Sequence, residues 1–154
     1  MKPDERHWRP ITFQGVTFPP SLMGISILEP VLGVNDEDFG DWLWRFPICC
    51  GFKKSTSAER CARHAQQAID LMLEQRQLTL RGIQERLGPH GFDAESVYRD
   101  WILALQKIAE LSKSTEGDCS WSAPSHPDDP IKTGADVKKF WDALQKARDK
   151  RMSD

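Results

Sequence analysis

Two residues that can bind metal, Cys61 and His64, lie three positions apart in a segment with helical periodicity. Side chains at i and i+3 share one face of a helix, so this thiol and this imidazole can converge. Cys50, in the preceding loop, adds a third donor of the types that zinc prefers. The spacing departs from the paired pattern of zinc sites, and a free thiol on the core face of the helix is the alternative. We therefore expect no metal and no other cofactor, with these three residues as the candidate ligands if a metal binds.

The chain shows no arrangement typical of a catalytic centre. Nucleophilic catalysis needs Cys or Ser beside a base that a third group orients, and the four histidines are scattered outside any such motif. The paired carboxylates Asp128 and Asp129 lie in a proline-containing stretch, and no glycine-rich phosphate loop follows a predicted strand. We predict no catalytic residues and a protein that is not an enzyme.

Residues 71–105 have the plan of a helix-turn-helix unit, with a long helix, a short helix, a glycine-containing turn and a third helix. The stretch 78–88 resembles the second helix of bacterial helix-turn-helix proteins. Arg76, Arg81 and Arg86 are the candidate DNA-binding residues, because basic side chains contact phosphates. The third helix, however, begins with the acidic sequence Asp-Ala-Glu-Ser, which would face phosphate. A DNA-binding regulator that uses the 57–111 helices is therefore our alternative hypothesis.

Tryptophan supports a different function. The six tryptophans are more than one small core holds comfortably, and tryptophan is enriched at binding hot spots. Trp44 lies off the apolar face of its predicted helix, Trp121 falls in a polar stretch, and Phe140 and Trp141 line one face of a C-terminal helix. We predict a small non-enzymatic protein-binding module, of the adaptor, inhibitor or assembly-accessory kind, that contacts another protein through these four residues.

Composition sets outer bounds on these hypotheses. The chain has 154 residues, 39% of them hydrophobic and 29% charged, with a formal net charge of −2. This length fits one domain. A net charge close to zero argues against nonspecific electrostatic binding of nucleic acid or anionic lipid. The charged start has no following apolar region typical of a secretory signal, and no apolar stretch is long enough to span a bilayer. We expect a cytoplasmic protein with free thiols and no membrane partner, and leave its oligomeric state open.

The local patterns predict one hairpin followed by helices. Apolar and polar residues alternate over 11–18 about a turn at Gln14-Gly15. The apolar stretch 22–34 is interrupted by Gly and Pro, so we expect irregular chain or short helical turns there. Asn35, Ser57 and Asp93 are the predicted N-caps, and a short helix starts after Thr79. The predicted helices cover residues 35–46, 57–76, 80–87, 93–111 and 134–151.

The fold class that follows is mainly α, with about five helices and a short N-terminal β-hairpin. Residues 1–111 form one helical domain, 112–133 a polar proline-containing linker, and 134–151 a tethered amphipathic helix. Leu73 continues the apolar stripe of the second helix, and Ile102 and Leu103 widen that of the fourth. The predicted core consists of Trp42, Phe46, Ile69, Met72, Leu87, Trp101, Leu105 and Ile108.

Overall fold

The computed structural model of the chain describes residues 9–45 and 54–122, together with Lys146. Over these residues the fold is mainly α-helical with a short N-terminal β-hairpin, as predicted. The helices described are α1 (Leu28–Leu32), α2 (Glu37–Trp44), α3 (Ala58–Glu74), α4 (Arg76–Leu87) and α5 (Ala94–Lys113). The strands are β1 (Ile11–Phe13), β2 (Val16–Phe18), β3 (Lys54–Ser57) and β4 (Asp118–Ser122).

The hairpin prediction is confirmed, and the hairpin is one part of a larger sheet. β1 and β2 pair antiparallel about Gln14 and Gly15, whose φ angles of 48° and 82° are the left-handed values that a tight two-residue turn requires. The four strands form an antiparallel sheet in the order β2-β1-β4-β3. The side chain of Gln14 joins the hairpin to β4, because its Oε1 accepts a hydrogen bond of 2.7 Å from the backbone N–H of Ser120.

The segment between the hairpin and α2 consists of short helical turns, one of the two outcomes expected for 22–34. A 3₁₀ segment, Pro20–Ile27, leads directly into α1, which ends at Gly33 in the left-handed conformation. α2 is capped by Asp36, whose Oδ1 accepts from the backbone N–H of Phe39 at 3.1 Å. The predicted cap, Asn35, is thus one position too early.

The capping predictions for α3 and α5 are confirmed, and the predicted start of α4 is wrong. Ser57 accepts from the N–H of Arg60, and Asp93 accepts from the N–H of Ser96. α4 begins at Arg76, directly after Gln75, rather than beyond Thr79. The hydroxyl of Thr79 donates to the Gln75 carbonyl at 2.8 Å, so this residue bonds within the helix and does not cap it.

The structure differs from the expected linker over residues 112–122. Residues 112 and 113 are the last turn of α5, and β4 inserts between β1 and β3. Trp121 on β4 is only 1% exposed, and its ring stacks on Phe13 with the centroids 6.0 Å apart. Residues 123–133 and all of 134–151 except Lys146, which is helical and exposed, lie outside the described residues.

The core lies where α5 packs against α3 and the 3₁₀ segment. Tyr98 near the start of α5 donates a hydrogen bond of 2.9 Å to the Met72 carbonyl near the end of α3, so the two helices run antiparallel. Phe46 lies outside the described residues. Every other predicted core residue is buried, namely Trp42, Ile69, Met72, Leu87, Trp101, Leu105 and Ile108.

Candidate functional site

His64 lies at the interface of α2 and α3 and is 1% exposed. Its Nε2 is 2.6 Å from Asp38 Oδ2, and its Nδ1 is 3.2 Å from Gln67 Oε1. The imidazole stacks on the ring of Phe39, with the ring centroids 5.4 Å apart. It is tilted against the ring of Trp42, with the centroids 5.9 Å apart. Both ring nitrogens have hydrogen-bond partners and the ring is shielded from water, so His64 can neither accept a proton from a substrate nor bind a metal as placed.

Asp38 is the centre of a charged network that joins α2 to α3. Arg60 Nη2 lies 2.8 Å from Asp38 Oδ1 and 3.2 Å from Asp41 Oδ2, and its Nη1 donates to Thr56 Oγ1 on β3. Arg63 Nη2 reaches the other oxygen of Asp38 at 3.3 Å. Together with His64, three cationic or donor side chains of α3 converge on one carboxylate of α2. These ion pairs and hydrogen bonds hold α2 against α3.

Cys61, a second candidate metal ligand, belongs to no group of metal-ligating side chains within the described residues. Cys61 is fully buried, and burial raises the pKa of its thiol to about 11, so it carries no thiolate at neutral pH. Cys50 lies outside the described residues. Over residues 9–45 and 54–122, no three His, Cys, Asp or Glu side chains are grouped so as to hold a metal ion.

The Asp38 network predicts a specific loss of stability in acid. Hydrogen bonds from Arg60 and then from His64 lower the pKa of Asp38 from 3.8 to about 2, with burial opposing them. A carboxylate with a lowered pKa stabilises the fold above pH 4, and this contribution is lost as the pH falls towards 2. The side chain is 50% exposed, so solvent screening reduces the contribution to about 1 kcal/mol.

We therefore expect the free energy of unfolding to fall by about 1 kcal/mol more in the wild type than in Asp38→Asn between pH 5 and pH 2. Urea unfolding followed by far-UV circular dichroism at each pH measures the difference. Glu59→Gln is the matched control, because this carboxylate is 88% exposed and forms a single long ion pair, with Arg63 at 3.8 Å. Parallel pH profiles for wild type and Asp38→Asn would contradict the assignment.

One of the three arginines proposed for DNA is held in contacts within the fold, and the other two are exposed. Arg76 is engaged, since its Nη2 is 3.0 Å from Glu95 Oε2 and its guanidinium lies over the Tyr98 ring at 5.3 Å. Arg81 and Arg86 are exposed on α4. Glu95, the partner of Arg76, is exposed in the first turn of α5, which is the part of a recognition helix that meets DNA.

Two of the four proposed aromatic anchors, Trp44 and Trp121, lie within the described residues. Trp121 is buried in the sheet, which removes it from any contact surface. Trp44 is half-buried at the end of α2. Phe140 and Trp141 lie outside the described residues. Trp121 was assigned to a linker because three of the five residues of β4 are polar and the stretch that follows contains prolines. The signal for a strand was the alternation of these polar residues with Cys119 and Trp121.

The exposed apolar surface of the described residues lies instead on α3 and α5. Leu73 is 59% exposed and Leu103 is 58% exposed. They line, with Tyr98 and Ile102, an open cavity of about 360 Å³ between the two helices. In the sequence both leucines lie on apolar helix stripes, which predicts that they are covered. A helical wheel gives the missing signal for Leu103, because two positions correspond to about 200° and Trp101 points into the core.

A second cavity opens at the opposite end of the same helix pair. It has a volume of about 540 Å³ and is lined by Ala58 and Ala62 of α3 and by Ser112 of α5. Glu59, Arg63 and Lys113 border it. Alanine and serine leave a larger space between the helices here than the leucine, tyrosine and isoleucine side chains leave at the other end.

Comparison of the chain with protein-family models, with curated proteins and with solved structures finds no match. Within the described residues, no helix combines the length and the apolar character needed to cross a membrane.

Proposed function

We propose that this protein is a small, non-enzymatic protein-binding module, acting in the cytoplasm, whose contact surface is the α3–α5 face. The observation that carries the proposal is the pair of leucines, Leu73 and Leu103, that stand more than half exposed beside one cavity. Single exposed leucines are ordinary, but adjacent ones beside a cavity are typical of an interaction site.

The geometry of this face suits a helical partner. Two packed helices present a trough between them, and an amphipathic helix buries its apolar side chains in such a trough. Charged residues such as Arg76, Glu95 and Arg99 border the leucines. An apolar centre with a polar rim is the usual anatomy of a protein interface.

The chemistry of the buried groups supports a non-enzymatic function. His64 has both nitrogens occupied, and the thiol of Cys61 is buried with a raised pKa. The Asp38 network is used to hold α2 on α3. We accordingly assign no catalytic role to any of these side chains.

The double variant Leu73→Asp/Leu103→Asp tests the proposal. Full-length protein is immobilised and exposed to native lysate at low and high salt, with and without nuclease. We expect wild type to retain a protein that survives salt and nuclease and that the double variant loses, because charged side chains at the centre of an interface must be desolvated. Leu78→Asp is the control, since this leucine is exposed on α4 outside both cavities.

Equal capture by wild type and the double variant would contradict the assignment of this face. Circular dichroism establishes that the variants are folded, which both exposed positions should permit.

DNA binding is the second candidate, and the exposure of Arg81 and Arg86 on α4 favours it. Its signature is nucleic acid that is recovered at low salt and lost as salt rises, since binding releases counterions from phosphates. Arg81→Glu/Arg86→Glu should abolish that recovery and leave capture of a protein partner unchanged. Recovery of nucleic acid by this variant would exclude the α4 surface.

A further inference from the structure

His64 has a hydrogen-bond acceptor at each of its ring nitrogens. Nε2 is 2.6 Å from Asp38 Oδ2, and Nδ1 is 3.2 Å from Gln67 Oε1. Carboxylate and amide oxygens only accept, so each nitrogen must carry a proton for both contacts to be hydrogen bonds. The neutral imidazole has one N–H, and the imidazolium has two. The two contacts therefore fit the imidazolium.

The faces of the ring also suit a positive charge. Phe39 stacks on the imidazole with 24° between the ring planes, and Trp42 lies against it at 43°. The face of an aromatic ring is negative and attracts a cation. Because the imidazole is 1% exposed, a charge on it needs a hydrogen-bonded counter-ion. Asp38 is that counter-ion, and it lies closer to His64 than to either Arg60 or Arg63.

Charges of both signs belong to this contact. They are two carboxylates of α2, which favour a cation at His64, and two guanidinium groups of α3, which oppose one, namely Asp38, Asp41, Arg60 and Arg63. Arg60 is shared between the two carboxylates, and Arg63 is 57% exposed, so water screens its charge. The thiol of Cys61, whose pKa burial raises to about 11, adds no charge near neutral pH.

From these contacts we infer that His64 is an imidazolium in the folded protein and that its proton is a pH-sensitive latch between α2 and α3. Loss of the Nδ1 proton leaves this nitrogen and Gln67 Oε1 as two acceptors 3.2 Å apart, and it removes the charge that faces Asp38. The folded chain therefore binds the proton more tightly than the unfolded chain. A histidine in an unfolded chain loses its proton near pH 6.5, so the latch contributes fully below about pH 6.5 and is lost as the pH rises further.

The latch adds an alkaline limit to the acid limit that Asp38 sets. The carboxylate of Asp38 takes up a proton as the pH falls towards 2, whereas His64 gives one up as the pH rises above neutral. The contact between α2 and α3 is strongest between these limits, and alkali loosens α2. This device is independent of the binding function proposed above.

Nitrogen-15 NMR of the full-length protein measures the protonation of His64 directly. Long-range correlations between the ring nitrogens and the ring C–H protons report the state of each nitrogen, and correlation with the backbone assigns the signals to His64. We expect both nitrogens to carry a proton at pH 7 in the folded protein. We also expect the proton to be lost at a higher pH than in the same protein unfolded in urea.

Gln67→Glu tests the contact at Nδ1, and Gln66→Glu is its matched control. A carboxylate at position 67 places a second negative charge beside the ring, so the pH at which His64 loses its proton should rise by about one unit. Gln66→Glu makes the same change of charge at an exposed position, where the amide donates to Asp70 instead. Its effect on His64 should be much smaller.

Urea unfolding connects the proton to the stability of the fold. Between pH 6 and pH 9 the urea midpoint of the wild type should fall by more than that of His64→Gln, which has no ring to titrate. Hydrogen exchange of the α2 amides should accelerate over the same range in the wild type. If His64→Gln does not fold, Gln67→Glu takes its place, and its midpoint should fall at a higher pH than that of the wild type.

Three results would overturn the inference. The first is a ring with one N–H at pH 7, which would mean that the Gln67 amide is turned to donate to Nδ1. The second is loss of the proton at the same pH in the folded and the unfolded protein. The third is an equal effect of Gln67→Glu and Gln66→Glu on His64.

Discussion

Replacing Trp101 by alanine is expected to lower the free energy of unfolding by about 3–5 kcal/mol, the usual cost of truncating a buried tryptophan. Trp101 is 1% exposed on α5, and its Nε1 donates a hydrogen bond of 3.0 Å to the carbonyl of Ser21 in the 3₁₀ segment. The variant therefore loses apolar burial and also leaves a buried carbonyl without its donor. Since domains are stable by only about 5–15 kcal/mol, this loss approaches the whole stability of the fold.

Urea unfolding followed by far-UV circular dichroism measures this effect. Trp101→Phe is the matched control, because it keeps an aromatic ring and removes the indole N–H. We expect an intermediate loss of about 1–3 kcal/mol from the unpaired Ser21 carbonyl and the smaller ring. An alanine variant as stable as the phenylalanine variant would show that Trp101 does not hold the 3₁₀ segment on α5.

Gly82→Ala is expected to destabilise the protein although alanine is the better helix former. A Cβ atom at Gly82 in α4 would lie 2.6 Å from both methyl carbons of Val31 on α1. The valine side chain is β-branched and has few rotamers, so α1 must move away. Overpacking of this kind costs about 1–3 kcal/mol, against a gain of about 1 kcal/mol in helix propensity. We expect a net loss of up to about 2 kcal/mol in urea unfolding, in place of the gain of about 1 kcal/mol that helix propensity alone would give.

Gly88→Ala provides the comparison at the end of the same helix. Its Cβ would meet the Gln84 side-chain amide at 2.6 Å, which is the far end of a flexible side chain that can turn aside. We expect this variant to be neutral or slightly stabilising. Val31→Ala should recover part of the loss in Gly82→Ala, because it removes the two methyl groups in conflict. A Gly82→Ala variant about 1 kcal/mol more stable than wild type, the gain from helix propensity alone, would disprove the close approach of α1 and α4.

The helical part of the fold could be predicted because its signals are local. Ser57 and Asp93 cap their helices through side-chain oxygens that reach N–H groups three residues ahead, and such caps can be recognised in a sequence. The Thr79 error has the same origin. A threonine hydroxyl can accept a hydrogen bond as a helix N-cap, or it can donate one to the carbonyl four residues earlier inside a helix. Thr79 does the second, because α4 already begins at Arg76 and the Gln75 carbonyl is within reach.

The larger sheet could not be predicted because its pairing is non-local. β3 has the sequence Lys-Ser-Thr-Ser, which contains no apolar residue. β4 has the sequence Asp-Cys-Ser-Trp-Ser, in which polar and apolar residues alternate over only five positions, so each strand is too short and too polar to be recognised by itself. They pair with each other and with β1 because the surrounding helices bring them together. Trp121 was consequently assigned to a linker surface, whereas its ring packs on Phe13 from the other end of the chain.

The candidate surface was missed for a geometric reason. Apolar residues at helical spacing predict a buried stripe on a helix. How much of that stripe is covered depends on where the neighbouring helices and strands pack, which the spacing does not show. Leu73 and Leu103 stand at the edges of their stripes and no described element covers them. His64 illustrates the converse, since a residue named as a candidate metal ligand has both ring nitrogens hydrogen-bonded inside the α2–α3 interface.

The position of β4 in the sheet also sets the order in which this chain can acquire its structure. Phe13 of β1 pairs with Trp121 of β4, more than a hundred residues later. The N-terminal hairpin therefore gains its neighbouring strand only after residue 121 has left the ribosome exit tunnel. Until then β1 keeps an unpaired edge, and β3 has no partner in the sheet. The helices, whose contacts are nearer in sequence, can form earlier during synthesis, and closure of the sheet is the late step. A chain truncated before Asp118 would leave β1 and β3 as unpaired edges open to aggregation.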